Sequence, residues 1–209
     1  QDIQTLNERA TRGELHISAI SIHAYAHVLD KYALLPCGAS MGDGYGPMLV
    51  APNRAGLSEN PRFGEVRDWL RGKRIAIPGK MTSAYLALQL FAPGVKTLVV
   101  PFDRILEEVR EGRADVGLVI HEGQLTYGAQ RLHAVVDLGA WWASRTDGLP
   151  LPLGANAVRR DLGPDACRDL TAVLRESIGF ALDHREEALR YALEFGRGLD
   201  SAMADRFVG

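Results

Sequence analysis

Lys73-Arg-Ile-Ala-Ile-Pro-Gly-Lys80, Val95-Lys-Thr-Leu-Val-Val100 and Asp115-Val-Gly-Leu-Val-Ile-His-Glu122 decide how this chain is read. Each holds an apolar run of strand length, and the two intervals between them carry helical patterns. Thr82 or Ser83 opens the first helix, which runs through Tyr85, Leu88 and Leu90 and stops at Pro93-Gly94. The second spans Asp103 to Glu111, with Ile105, Leu106 and Val109 on its inner side. The order β-α-β-α-β is the signature of a parallel sheet with helices on its faces.

Upstream of this unit, residues 2 to 12 read as a helix capped by Asp2, with Ile3, Leu6 and Ala10 along one side and Gly13 at its end. His16-Ile-Ser-Ala-Ile-Ser21 is a strand, and Ser21 opens a helix reaching about Asp30. Tyr32-Ala-Leu-Leu35 is a further apolar stretch, stopped by Pro36. A glycine-rich loop, Gly38-Ala-Ser-Met-Gly-Asp-Gly-Tyr-Gly46, leads into a strand at Pro47-Met-Leu-Val-Ala51. Residues 52 to 72 read as a surface linker with a short helix from Phe63 to Leu70. Downstream, Ala134 to Leu138 is apolar, and Trp141 and Trp142 lie on a helix ending near Asp147-Gly148. Pro152 to Val158 is a strand. A long amphipathic helix carries Leu170, Val173, Leu174 and Ile178 at helical spacing, and residues 185–195 continue as another helix.

This pattern divides the chain into residues 1–51 as the first part of domain 1, a linker at 52–72, domain 2 at 73–150 and a return to domain 1 at 151–209. Ligands in such proteins bind between the domains. With 24 Lys plus Arg against 26 Asp plus Glu, the formal charge is -2, which is no electrostatic footprint for nucleic acid. No 18-residue apolar run is present to span a membrane. Cys37 and Cys167 read as two free buried thiols, and no Cys-x-x-Cys or His-Glu-x-x-His suggests a metal site.

Four places carry chemistry. His121 ends a strand, where α/β proteins open toward ligands, and imidazole moves protons near neutral pH. It is either a general base or a strand-end histidine bonded for structure. Thr82-Ser83-Ala84 begins a helix after a Pro-Gly turn, with Lys80 nearby. Hydroxyls and unpaired N–H groups there make an anion site, and plain N-capping is the alternative. Gly42 and Gly44 precede a strand, so they form no dinucleotide fingerprint and instead suit close backbone approach or a hinge crossing. Ser21 and His23 stand at a strand-to-helix junction. His23 and His27 have the spacing for a metal but lack a suitable third ligand.

Thr5-Leu-Asn7, Tyr45-Gly-Pro-Met-Leu-Val50, Pro101-Phe-Asp-Arg-Ile105, Gly117-Leu-Val-Ile-His-Glu122, Val136-Asp-Leu-Gly-Ala-Trp-Trp142 and Leu151-Pro-Leu-Gly154 stand in one order across nearly the whole chain. Together they resemble the 1,4-dihydroxy-6-naphthoate synthases, the MqnD family of the futalosine route to menaquinone. The resemblance implies an α/β, two-domain fold of the type II periplasmic-binding-protein kind with a ligand cleft between domains, working as a cytoplasmic lyase. It implies cyclic dehypoxanthinyl futalosine as substrate, with no metal or organic cofactor. It carries the catalytic base onto His121 and substrate contacts onto Ser21, Thr82, Ser83 and Ala84, with Gly42 and Gly44 lining the crossing. The family pattern begins with a strand and a Ser-Pro-Cys-Pro-Asn-Asp-Thr motif and continues past residue 209, so the comparison implies a chain truncated at both ends. Three other readings stand beside it. The related chorismate dehydratase lacks the Gly-Leu-Val-Ile-His-Glu segment. A solute-binding module for a small carboxylate would use the same helix start. An oligomer-forming protein without activity is the third.

Overall fold

The computed structural model describes residues 2–120, 123–195 and 205. Its elements are α1 (Ile3–Thr11), β1 (Ile17–Ser21), α2 (Ile22–Tyr25), β2 (Tyr32–Leu34), β3 (Ser40–Gly42), β4 (Met48–Ala51), α3 (Phe63–Trp69), β5 (Arg74–Ile77), α4 (Ser83–Phe91), β6 (Lys96–Val99), α5 (Ile105–Arg110), β7 (Val116–Val119), α6 (Gly123–Thr126), β8 (His133–Asp137), α7 (Leu138–Arg145), β9 (Leu151–Arg159), α8 (Gly163–Asp183) and α9 (Arg185–Leu193). The strands form two sheets. In one, β9 pairs antiparallel with β1, β2 and β3. In the other the order is β6-β5-β7-β4-β8.

The β5-α4-β6-α5-β7 unit is parallel, as its periodicity predicts. Val116 to Val119 are buried on both faces, which is why this strand reads as an unbroken apolar run. β4 departs from the division at residue 51. It lies between β7 and β8, antiparallel to both, so it belongs to the five-stranded sheet and the chain crosses over at about residues 43–47. A strand's sequence announces its faces but not its partners. The segment 52–72 differs too. Val66 and Leu70 are fully enclosed in the core of the five-stranded sheet, beside Ile75, Leu88 and Phe91, so α3 is a core helix rather than part of a surface linker. Its loop is fastened by Trp69 Nε1–H donating to Ala55 O at 2.8 Å and by Glu65 accepting from the Ser58 N–H at 2.6 Å.

α2 is shorter than its apolar pattern suggests. His27 N–H donates to Ala24 O and Val28 N–H to Tyr25 O, so the chain tightens and turns toward β2. Cys37 and Cys167 are free and half-buried. No helix among the described residues is long and apolar enough to cross a membrane.

α7 opens on Asp137, whose Oδ1 accepts from the N–H groups of Gly139 at 2.8 Å and Ala140 at 3.1 Å. Burial pushes the Asp137 carboxyl above the usual carboxylate range, against the pull of the Ala140, Gly139 and Gly46 amides. A raised folded-state value favours folding below the unfolded pKa of about 3.9, and that contribution is lost as pH rises through the folded value. The difference in unfolding temperature between Asp137→Asn and the parent should therefore shift in the variant's favour as pH goes from 4 to 7. A difference independent of pH across that window would contradict this.

Candidate functional site

The site is organised by an asparagine. Asn7 is buried on the inner side of α1, three residues before Ala10. Its Oδ1 accepts from the Ser21 N–H at 3.0 Å, and its Nδ2 donates to Ser21 Oγ at 3.0 Å and to Met81 O at 3.3 Å. Gln4 Oε1 accepts from the Met81 N–H at 3.1 Å. The end of β1 is thus tied to the loop between β5 and α4. Asn7, Ser21, Thr82 and Ser83 are 0, 3, 2 and 6% exposed, so their polar groups are satisfied by one another rather than by bulk water. Replacing Asn7 by leucine would leave the Ser21 amide and Met81 carbonyl without their partner. We expect a loss of about 2–4 kcal/mol, or roughly 5–15 °C in Tm. A fall below 2 °C by calorimetry would show that the network is not what fastens α1.

The two hydroxyls at the start of α4 are spoken for. Thr82 is the N-cap: its Oγ1 accepts from the Tyr85 N–H at 3.2 Å and donates to Gly79 O at 2.8 Å. Ser83 Oγ donates to Leu153 O at 2.6 Å and accepts from the His23 N–H at 3.3 Å. Each hydroxyl has one hydrogen, and both hydrogens are committed to carbonyls, leaving one lone pair apiece. They can accept from a ligand but cannot donate to an anion. The groups left to donate are the Ser83 and Ala84 amides and the Ser21 hydroxyl, for which the described residues supply no acceptor. The anion-binding reading of this helix start therefore rests on backbone N–H groups, with Thr82 and Ser83 as capping and bracing side chains.

Parallel β5 and β7 are neighbours, so their C-terminal ends open on the same side. The Gly79–Ser83 loop and α4 leave from one, and Ile120 follows the other. Ile120, Tyr85, Trp142 and Leu153 are partly buried, packed against the same core. Trp141 belongs to that core, whereas Trp142 keeps a buried indole N–H with no hydrogen-bond partner among the described residues. His121 and Glu122 lie outside the described residues.

Gly42 and Gly44 form the turn at the crossing. A Cβ on Gly42 would come within 2.1 Å of Tyr45 O, and Gly44 has φ +72°. The tightest approach lies just beyond them, where the backbone at Tyr45–Gly46 packs on Gly139 at the start of α7. His23 also comes into the site, close to Thr82 and Ser83. His27 neighbours it, but no group of three metal-binding side chains occurs among the described residues. Sequence reasoning missed Asn7 and Gly139. Asn7 had a signal: it falls on the apolar side of its helix with Ile3 and Ala10.

A family model described as menaquinone biosynthesis matches residues 1–208. The chain belongs to this family. A Thermus thermophilus relative, named 1,4-dihydroxy-6-naphtoate synthase, is 46% identical over 191 residues, 91% of this chain. A Streptomyces coelicolor relative of the same name is 39% identical over 214 residues and 100% of this chain. The chain spans 65% of the length of the first and 71% of the second. The crystal structure of protein AF1704 from Archaeoglobus fulgidus superposes with a TM-score of 0.89 at 45% identity, covering 99% of this chain and 73% of that one. The alkanesulfonate-binding protein SsuA from Xanthomonas axonopodis pv. citri superposes at 0.67 with 14% identity, covering 98% and 69%. A Candida albicans protein described as having the generic periplasmic binding protein fold superposes at 0.63 with 14% identity, covering 98% and 66%. The fold is that of the periplasmic binding proteins.

Proposed function

We propose that this chain carries the substrate site of a 1,4-dihydroxy-6-naphthoate synthase, a carbon–carbon lyase acting on cyclic dehypoxanthinyl futalosine. The observation that carries the reading is that Asn7 ties Ser21, at the end of β1, to the loop before α4, whose Ser83 and Ala84 amides have no acceptor among the described residues. Identity of 46% and 39% to relatives of that name supports it.

In this reading His121 is the general base and takes a proton from the sugar-derived part of the substrate. Negative charge then grows on oxygen, and the unpaired amides at the start of α4, with the Ser21 hydroxyl, meet it. Preorganised donors of this kind act without reorganising during the reaction, and the hydroxyls of Thr82 and Ser83, their hydrogens committed to carbonyls, serve that end by holding the helix start rigid. Gly42 and Gly44 keep the crossing narrow beside the ligand. The whole reaction is proton transfer and bond cleavage, placed in the cytoplasm with the rest of a biosynthetic route.

The test is direct. Incubating the protein with cyclic dehypoxanthinyl futalosine should release 1,4-dihydroxy-6-naphthoate, identified by mass and absorbance. Saturable binding of the substrate without any product would overturn the enzymatic reading and leave a binding module.

A further inference from the structure

His23 is the second residue of α2 and half-buried. Its amide donates to Ser83 Oγ at 3.3 Å, and its ring Nδ1 lies 3.2 Å from Thr82 O. A carbonyl oxygen only accepts, so Nδ1 carries the hydrogen, and in the neutral ring Nε2 is left as an acceptor. The ring is flanked by Tyr85 at 6.3 Å and His27 at 5.7 Å between centroids. The Thr82 carbonyl also accepts from the Leu86 N–H at 3.2 Å, so donors engage both of its lone pairs.

The consequence lies on the other side of that peptide. A trans peptide is planar, with its C=O and N–H pointing in opposite directions. Fixing the Thr82 carbonyl therefore fixes the direction of the Ser83 N–H, one of the donors for which the described residues supply no acceptor. Of the two groups holding the carbonyl, the Leu86 amide belongs to the helix itself. His23 comes from a different element, α2, and links the orientation of the donor to the Ser21 side of the site.

We propose that His23 is a positioning residue: its Nδ1–H, bound to the Thr82 carbonyl, aims the Ser83 amide at the substrate oxygen, and its ring takes no part in proton transfer. This rests on the reading of the site given above. Asparagine places an amide nitrogen near the position of Nδ1, and glutamine places one near Nε2, so the two variants separate the atoms. With cyclic dehypoxanthinyl futalosine as substrate, His23→Asn should stay within threefold of the parent in both kcat and KM. His23→Gln and His23→Ala should lower kcat tenfold or more with KM within threefold, because the Ser83 amide meets charge that grows during the reaction. In the imidazole ¹H–¹⁵N spectrum the resonances lost in His23→Asn should be those of an Nδ1–H tautomer, a readout that needs no activity.

An Nε2–H tautomer, a His23→Asn variant as impaired as His23→Ala, or a rise in KM at constant kcat would each overturn the proposal. So would variants all indistinguishable from the parent. Unfolding temperatures identify a variant that has failed to fold, and the near-isosteric Asn and Gln variants carry the test if alanine does. Absence of turnover by the parent protein would instead refute the functional reading, and this proposal with it.

Discussion

His121→Ala is expected to lower kcat on cyclic dehypoxanthinyl futalosine by about 10²–10⁴-fold, the range a positioned general base contributes. KM should change little, because the amides and hydroxyls proposed to bind the ligand belong to other elements. Unfolding temperature should also hold within about 2 °C, which separates loss of a base from loss of the fold. Added imidazole should restore part of the lost rate in the alanine variant, an effect a purely structural histidine would not show. A variant within threefold of the parent would place the base elsewhere and leave only the binding part of the proposal standing.

Gly139→Ala should be the most destabilising added methyl among the described glycines. Its Cβ would sit 2.0 Å from Tyr45 C and O and 2.5 Å from Gly46 N, all main-chain atoms with no flexible side chain to yield. Either α7 or the crossing at 42–46 must move. Overpacking of this kind costs about 3 kcal/mol, or roughly 6–12 °C of Tm for a chain of this size. Because the displaced segment joins the two sheets, substrate affinity should fall with stability. Gly64→Ala is the control. It lies in α3 with nothing within 4 Å of the added carbon, so it should be neutral or stabilise by up to about 1 kcal/mol. Equal effects at both positions would show that the close approach is not a constraint.

Much of this architecture is legible because it is local. The parallel unit from Arg74 to Val119 follows from apolar runs of strand length separated by helical patterns, with the start of α4 narrowed to Thr82 or Ser83 and the choice made only by the fold. What the sequence conceals is long-range. Nothing in Met48-Leu-Val-Ala51 says that its partners lie at Gly117–Val119 and His133–Asp137, because any buried strand looks the same. The helical stripe of α8 was equally visible, yet no residue of that helix is buried and Val173 is 63% exposed. Periodicity identifies an apolar face and not what lies against it. At the site, residue types alone nominate Ser21, Thr82 and Ser83, but only the fold reveals that the hydrogens of Thr82 and Ser83 are committed to the carbonyls of Gly79 and Leu153.

The central place of β4 also governs how the molecule can be assembled. Val50 leaves the ribosome well before Gly117, its partner on β7, and at about 5–20 residues per second that interval is roughly 3–13 s. Through that time Leu49, Val50 and Ala51, all enclosed in the finished protein, have no sheet to join. A fragment beginning at residue 73 would keep β6, β5 and β7 but leave β7 and β8 with a strand-wide gap between them, two raw edges open to other chains. The parallel unit so easily read from the sequence is therefore no autonomous cassette: a synthetic peptide covering residues 43–52 would have to be supplied in trans before it could close.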